Sequence, residues 1–158
     1  MEATEKALIS GFMGTNLMTA FSYLAAELAK ENFSEPRHLS VMLKRLAPGI
    51  PKSWQRVAGW GAHYAVGILF VLVYKEMWES GKLKPSISSA LILGTLSGAI
   101  AILIWKATFK AHPLPPWINY RNYYLQLLPA HIVFAVVSTI TYRLLSHREI
   151  VNYEELYR

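Results

Sequence analysis

The sequence predicts an all-α, polytopic membrane protein, a bundle of four transmembrane helices that forms a single domain over residues 1–158. Three observations predict this fold. Charged residues make up only 16% of the chain, against about 25% in soluble domains. Four stretches of 18 to 21 residues contain no Asp, Glu, Lys or Arg. Aromatic residues gather near the ends of these stretches, where amphipathic rings prefer the headgroup level of a bilayer.

Each of the four uncharged stretches is long enough to cross a bilayer. A helix of about 20 apolar residues spans a hydrocarbon core of roughly 30 Å. A soluble bundle would have no amphipathic helices left to cover four such segments. The predicted spans are residues 7–26, 57–74, 86–105 and 122–142.

The connections between the spans differ in character. In residues 38–46 four apolar residues recur at helical spacing, which predicts a short amphipathic helix that lies in the membrane interface. Lys44 and Arg45 would face water and lipid headgroups there. Residues 112–117 read His-Pro-Leu-Pro-Pro-Trp. This stiff, polyproline-like segment is expected to lead the chain rigidly into the fourth span.

The distribution of charge indicates the partners. The formal net charge is +6. Nucleic-acid-binding proteins gather Lys and Arg on one exposed face, whereas these basic residues stand at the ends of the uncharged stretches, where they would meet anionic lipid. We therefore expect a lipid bilayer as partner and no nucleic acid. The chain contains no Cys, which excludes thiolate catalysis and thiolate metal sites within it.

The chain also repeats itself. Ala-His at residues 62–63 precedes Tyr-Lys at 74–75, and Ala-His at 130–131 precedes Tyr-Arg at 142–143, both at an offset of 68. This spacing indicates two tandem helical hairpins related by a pseudo-two-fold axis along the membrane normal. Chance similarity between apolar segments is the alternative. Four spans place both termini on one side, but the 16 Lys and Arg divide 7 to 9 between the two sides, which does not decide the orientation.

Small residues on the spans are expected to form the helix contacts, because they let helix backbones approach closely in lipid. They occur on one face of the first span, one turn to either side of His63 in the second, and on one face of the third. These helix-packing residues are Gly11, Thr15, Gly59, Gly67, Gly94 and Gly98.

Residues 92–98 (Ile-Leu-Gly-Thr-Leu-Ser-Gly), 112–116 (His-Pro-Leu-Pro-Pro) and 131–137 (His-Ile-Val-Phe-Ala-Val-Val) carry a family resemblance. In these segments the chain resembles the YagU-like inner-membrane proteins of bacteria. The resemblance covers about half of the chain, chiefly residues 90–143, and implies a small, multi-pass, four-helix protein of the bacterial inner membrane. That family has no established catalytic residues, so none is carried over.

Few residues inside the predicted spans could carry chemistry. His63 and His131 lie several residues inside their spans at matching places in the repeat. An ionisable group at that depth is costly and is by default a functional candidate. Two facing imidazoles could ligate a metal or haem, or pass protons; alternatively, each only hydrogen-bonds a neighbouring helix. Asn16 and the flanking Glu27 are the remaining ligand or proton-relay candidates, and Asn16 fits an interhelical hydrogen bond better.

The signatures of common enzymes do not occur in the sequence. There is no Gly-rich phosphate loop, no pair of carboxylates within a span and no nucleophile-elbow pattern. We therefore interpret the chain as a non-enzymatic bundle, without an assigned cofactor, that acts as a homo-oligomer or as a subunit of a membrane complex. A small channel or transporter is the alternative, and a metal, haem or proton site at His63 and His131 is a further one.

Overall fold

Five α-helices make up most of the chain in the computed structural model. The structure describes the backbone of residues 1–156 and the side chains of residues 1–147. The helices are α1 (Ala3–Ala29), α2 (Glu35–Leu46), α3 (Lys52–Glu79), α4 (Ile87–Ala111) and α5 (Tyr120–Leu156). Residues 1–156 contain no strand, which confirms the all-α fold class.

Local sequence signals account for the helix boundaries. α4 begins with a capping box, in which the Ser86 hydroxyl accepts from the Ser89 N–H at 3.2 Å and the Ser89 hydroxyl accepts from the Ser86 N–H at 3.0 Å. Pro51 precedes the first residue of α3. After α3 the chain turns through Gly81, whose φ of +71° lies in the left-handed region that favours glycine.

Three helices are long and apolar enough to cross a membrane: α3, α4 and the Tyr120–His147 part of α5. These helices support a helical membrane protein with three candidate spans, where the sequence predicts four. α1 is not among them, although it has 27 residues. Hydroxyl and amide side chains lower the mean hydropathy of this helix. They belong to Ser10, Thr15, Asn16, Thr19 and Ser22.

The long helices pack in the spatial order α4, α5, α1 and α3, and α2 packs against α3. α3 and α4 stand at the two ends of this order and make few close backbone contacts with each other. A side-chain hydrogen bond nevertheless joins them, because Tyr74 donates to the Ser97 hydroxyl at 2.8 Å. The helices therefore close into a bundle that is incompletely packed between α3 and α4.

Glycines lie at the close contacts between helices. A Cβ atom at Gly11 would stand 3.0 Å from the Ile68 Cα of α3, and one at Gly94 would stand 2.7 Å from the Ile132 Cα of α5. Real Cβ atoms pack at about 3.5–4.0 Å from other carbons. These two contacts therefore require a residue without a side chain.

The other predicted packing residues also lie between helices. A Cβ at Gly98 would stand 3.1 Å from the Leu128 Cα of α5. A Cβ at Gly67 would collide with the hydroxyl of Thr15, which itself donates to the Gly11 carbonyl at 2.7 Å. The sequence prediction overlooked Gly14, where a Cβ would lie 2.9 Å from the Phe134 carbonyl oxygen of α5.

α2 covers one end of the bundle. It contributes Met42 to a cluster of buried side chains, whose other members come from α4, α5 and the preceding loop: Phe33, Trp105, Phe109, Tyr123 and Leu127. The proline-rich segment after α4 holds α2 in place. His112 donates through Nε2 to the Met42 carbonyl at 3.1 Å, and Arg45 donates to the carbonyls of Leu114 at 2.8 Å and Pro115 at 2.6 Å.

Candidate functional site

A cavity of about 100 Å³ lies in the gap between α3 and α4. α2 closes it at one end, and the hydrogen bond between Tyr74 and Ser97 ties α3 to α4 further along the gap. Val66 of α3 and Ile104 of α4 line the cavity and are about half exposed, at 48% and 50%. The cavity therefore opens sideways, on the outer apolar surface of the bundle.

Most of the cavity wall is apolar, with Met18, Phe70 and Phe134 among its residues. Its ionisable groups come from three helices. They are Glu35 of α2, His63 of α3 and His131 of α5. The bundle thus brings the two predicted histidines to one cavity, together with a carboxylate from the first loop.

Glu35 and His63 form a buried pair. Oε2 of Glu35 lies 3.5 Å from Nδ1 of His63, and the side chains are 10% and 4% exposed. Gly59, one turn before His63, makes this approach feasible. A Cβ there would stand 2.5 Å from the Pro36 carbonyl oxygen and would collide with the Ser40 hydroxyl, so any larger residue would push α2 away from α3.

The hydrogen bonds of Thr19 determine how protons are placed on this pair. The Thr19 hydroxyl has one proton, which it donates to the Thr15 carbonyl at 2.7 Å. Its oxygen therefore accepts from His63 Nε2, which lies 2.9 Å away. With Nε2 protonated, a lone pair on Nδ1 would face a carboxylate oxygen and be repelled. A proton between Nδ1 of His63 and Oε2 of Glu35 would relieve this repulsion.

The surroundings of Glu35 determine the pKa of its carboxyl. Burial raises this pKa, but the contact and charge of His63, the charge of His131 and the nearby Trp105 side chain together lower it by more, so the pKa lies below its usual value. The lowered pKa favours the ionised carboxylate.

Two hydrogen-bond acceptors at the cavity have no well-aligned donor. Oε1 of Glu35 is buried and has no well-aligned hydrogen-bond donor among the described side chains and backbone, with the Trp105 side chain nearby. His131 donates from Nδ1 to the Leu127 carbonyl at 2.8 Å. In the neutral ring Nε2 is then an acceptor, and it has no hydrogen-bond partner among residues 1–147. A buried polar group without a partner costs roughly 1–3 kcal/mol, which makes Oε1 of Glu35 a candidate for ligand contact.

The other predicted candidates lie away from the cavity. Asn16 donates to the Phe12 carbonyl at 2.9 Å and accepts from the Tyr64 hydroxyl at 2.8 Å. It therefore links α1 to α3. The Glu27 side chain is 84% exposed and lies 4.0 Å from Lys30, the residue that follows α1. Neither residue lines the cavity.

Sequence reasoning missed Glu35 and Thr19. It treated residues before 38 as part of a basic loop, whereas α2 begins at Glu35. A signal for the earlier start was present, because Ser34 is followed closely by Pro36, and proline favours the first turn of a helix. Nothing in the local pattern showed that the Glu35 side chain would be buried against α3.

The geometry does not favour the metal and haem alternatives. The described part of the chain contains no group of three or more His, Cys, Asp or Glu side chains that could hold a metal ion. A cavity of about 100 Å³ is smaller than one that accommodates benzene, roughly 150 Å³, and far too small for a haem.

Fold and site together define an α-helical membrane protein in which a buried Glu–His pair stands in the wall of a cavity that opens sideways. In comparisons with family models, curated proteins and solved structures, no match to this chain was found.

Proposed function

We propose that this protein binds one lipophilic molecule from the bilayer in the cavity between α3 and α4. The observation that carries the proposal is the buried Glu35–His63 pair in an otherwise apolar cavity with a lateral mouth. Ligand sites are typically apolar pockets with a few placed polar groups that fix orientation. A mouth between Val66 and Ile104 would admit a ligand directly from the hydrocarbon region.

A photoreactive fatty alcohol that carries a diazirine tests this function in lipid nanodiscs. After illumination, mass spectrometry should find the label on cavity-lining peptides of α3 and α4. Val66→Trp should block the mouth and suppress this labelling. Leu69→Trp is the matched control, because Leu69 is exposed on the same helix but does not line the cavity. Equal labelling of the wild type and both variants would refute a specific cavity site.

We further propose that α1 is a fourth span. Its 27 residues would extend about 40 Å, at 1.5 Å per residue, which exceeds the hydrocarbon core. Large apolar side chains are exposed along its length, among them Leu8, Phe12, Met13, Leu17 and Leu24. In water such a face would be unfavourable, whereas in a bilayer it would contact lipid.

Single cysteines can test the topology, because the natural chain has none. With four spans, Glu2→Cys and Gly81→Cys should react with an impermeant maleimide from the same side of the membrane. Gly49→Cys should react from the opposite side. If Glu2→Cys instead reacts from the side of Gly49→Cys, α1 does not cross and the chain spans three times.

We also propose that the chain belongs to the YagU-like family, that it lies in the bacterial inner membrane and that it contains an internal duplication. The sequence motifs support the first two. For the duplication, Gly11 and Gly94 occupy matching places in the repeat, and each lies against an isoleucine Cα of the next span, Ile68 and Ile132. The second contact is displaced by one helical turn, since the offset of 68 would pair Ile68 with Val136.

A second candidate function is proton-coupled transport, which the buried contact between Glu35 and His63 favours. Proton relays through membranes use such buried ionisable pairs. Proteoliposomes with an internal pH-sensitive dye would show proton flux that depends on Glu35. Flux that is unchanged in Glu35→Gln would remove this candidate.

A further inference from the structure

A basic groove lies at the end of the bundle that α2 covers, apart from the cavity between α3 and α4. Its volume is about 790 Å³, and it is bounded by the end of α1, one face of α2 and the first turns of α3. Four exposed basic side chains line it, Arg37, Lys44, Lys52 and Arg56. We propose that this groove binds the phosphate headgroup of an anionic phospholipid.

Two helix faces present these charges to one another. The two basic residues of α2 are two helical turns apart and those of α3 are one turn apart, so each pair lies on one face of its helix. The chain turns back between the helices over residues 47–51, and Gly59 lets α3 approach α2 closely. The two basic faces therefore stand side by side along the groove.

The positive charges of the groove are not neutralised within the described part of the protein. None of the four basic side chains forms an ion pair within residues 1–147. Two carboxylates also line the groove. Glu31 accepts hydrogen bonds from Asn119 at 3.0 Å and Asn122 at 2.7 Å, and Glu27 lies 4.0 Å from Lys30. Like charges one turn apart on a helix repel each other, so an anion between the basic faces would relieve this repulsion.

The position of the groove favours a lipid over a soluble anion. The groove lies at the start of α3, which is one of the candidate spans. Tyr23 and Trp60 line it together with the basic residues. Such rings prefer the headgroup level of a bilayer, where the phosphates of the lipids also lie. An arginine guanidinium can bind a phosphate through two parallel hydrogen bonds, which suits Arg37 and Arg56 to this headgroup.

Native mass spectrometry of the full chain in mild detergent tests the site by titration with lipids of equal acyl chains. Anionic phosphatidylglycerol should bind more tightly than zwitterionic phosphatidylcholine. Arg37→Gln and Arg56→Gln should each weaken the binding of phosphatidylglycerol about fivefold, because a basic residue near a membrane surface contributes about 1 kcal/mol to the attraction of anionic lipid. The binding of phosphatidylcholine should not change.

Arg121→Gln is the matched control, because Arg121 is exposed at the same end of the bundle but does not line the groove. It should leave the binding of phosphatidylglycerol unchanged. Since the comparison of the two lipids on the wild type needs no variant, a poorly folding variant would not weaken the test. Equal affinity for the two lipids, or an equal loss of affinity in Arg121→Gln, would overturn the site. Displacement of phosphatidylglycerol by inorganic phosphate, but not by chloride at matched ionic strength, would overturn the lipid as the source of the phosphate.

Discussion

Gly94 provides a quantitative test of the helix packing. In Gly94→Ala the new Cβ would stand 2.7 Å from the Ile132 Cα and 2.9 Å from the His131 carbonyl oxygen, both backbone atoms of α5. To restore an ordinary carbon–carbon contact, α4 and α5 must separate by about 1 Å. Overpacking of this kind costs about 1–3 kcal/mol, and the higher helix propensity of Ala offsets up to about 1 kcal/mol of it.

Gly61→Ala is the matched control, because Gly61 is also in a spanning helix but a Cβ there meets nothing within 4 Å. We expect Gly94→Ala to lower the free energy of unfolding by about 1–2 kcal/mol, and Gly61→Ala to leave it unchanged or raise it slightly. Gly98→Ala, with its closest backbone contact at 3.1 Å, should fall between them. Thermal unfolding in mild detergent, followed by circular dichroism, measures the order. A Gly94→Ala variant as stable as Gly61→Ala would show that α4 and α5 are not in close contact at this point.

The remaining predictions concern the polar groups. Nitrogen-15 NMR of histidine-labelled protein should show a proton on Nε2 of His63, because the Thr19 hydroxyl donates to the Thr15 carbonyl and accepts from that nitrogen; a ring protonated on Nδ1 alone would contradict this arrangement. Because the pKa of Glu35 is below its usual value of 4.5, its charge contributes stability that is complete above pH 4.5 and is lost as the pH falls through the lower pKa of the folded state. Acid unfolding of Glu35→Gln should lack this loss, and identical profiles would argue against the ion pair. Tyr64→Phe removes the hydrogen bond to Asn16 at 2.8 Å and should cost about 0.6 kcal/mol, as interhelical hydrogen bonds in membranes do on average. Native mass spectrometry in mild detergent tests the predicted homo-oligomer, and a monomer at all concentrations would argue against it.

The long helices were predictable because an uncharged stretch of about 20 residues has few alternatives to a helix that is buried or in lipid. Their ends were less accessible to sequence reasoning. α3 continues past the predicted end of its span at Tyr74, because Lys75 pairs on the helix surface with Glu76 and Glu79 at 2.9 Å each. Charged residues end an apolar stretch without ending the helix.

The candidate site was predictable in part. Depth in the span and position in the repeat selected His63 and His131, which line one cavity. Glu35 could not be found in this way, because it lies in a charged loop and its burial depends on the close approach of α2 at Gly59, 24 residues later in the sequence. Glu27 drew attention only because it adjoins a span. A sequence shows which side chains are unfavourable to bury. It does not show which of them the packing of another helix will bury.

The hydrogen bonds between α2 and the proline-rich segment have a consequence for biosynthesis. Glu35 is synthesised before its partner His63. The carbonyls of Leu114 and Pro115, which accept hydrogen bonds from Arg45 of α2, belong to a segment that is synthesised much later. While α3 is being synthesised, the α2 segment therefore remains without its final anchor. Completion of the site must wait for synthesis of the proline-rich segment and of His131. A nascent chain arrested before this point would therefore hold Glu35 without all of the contacts that bury it.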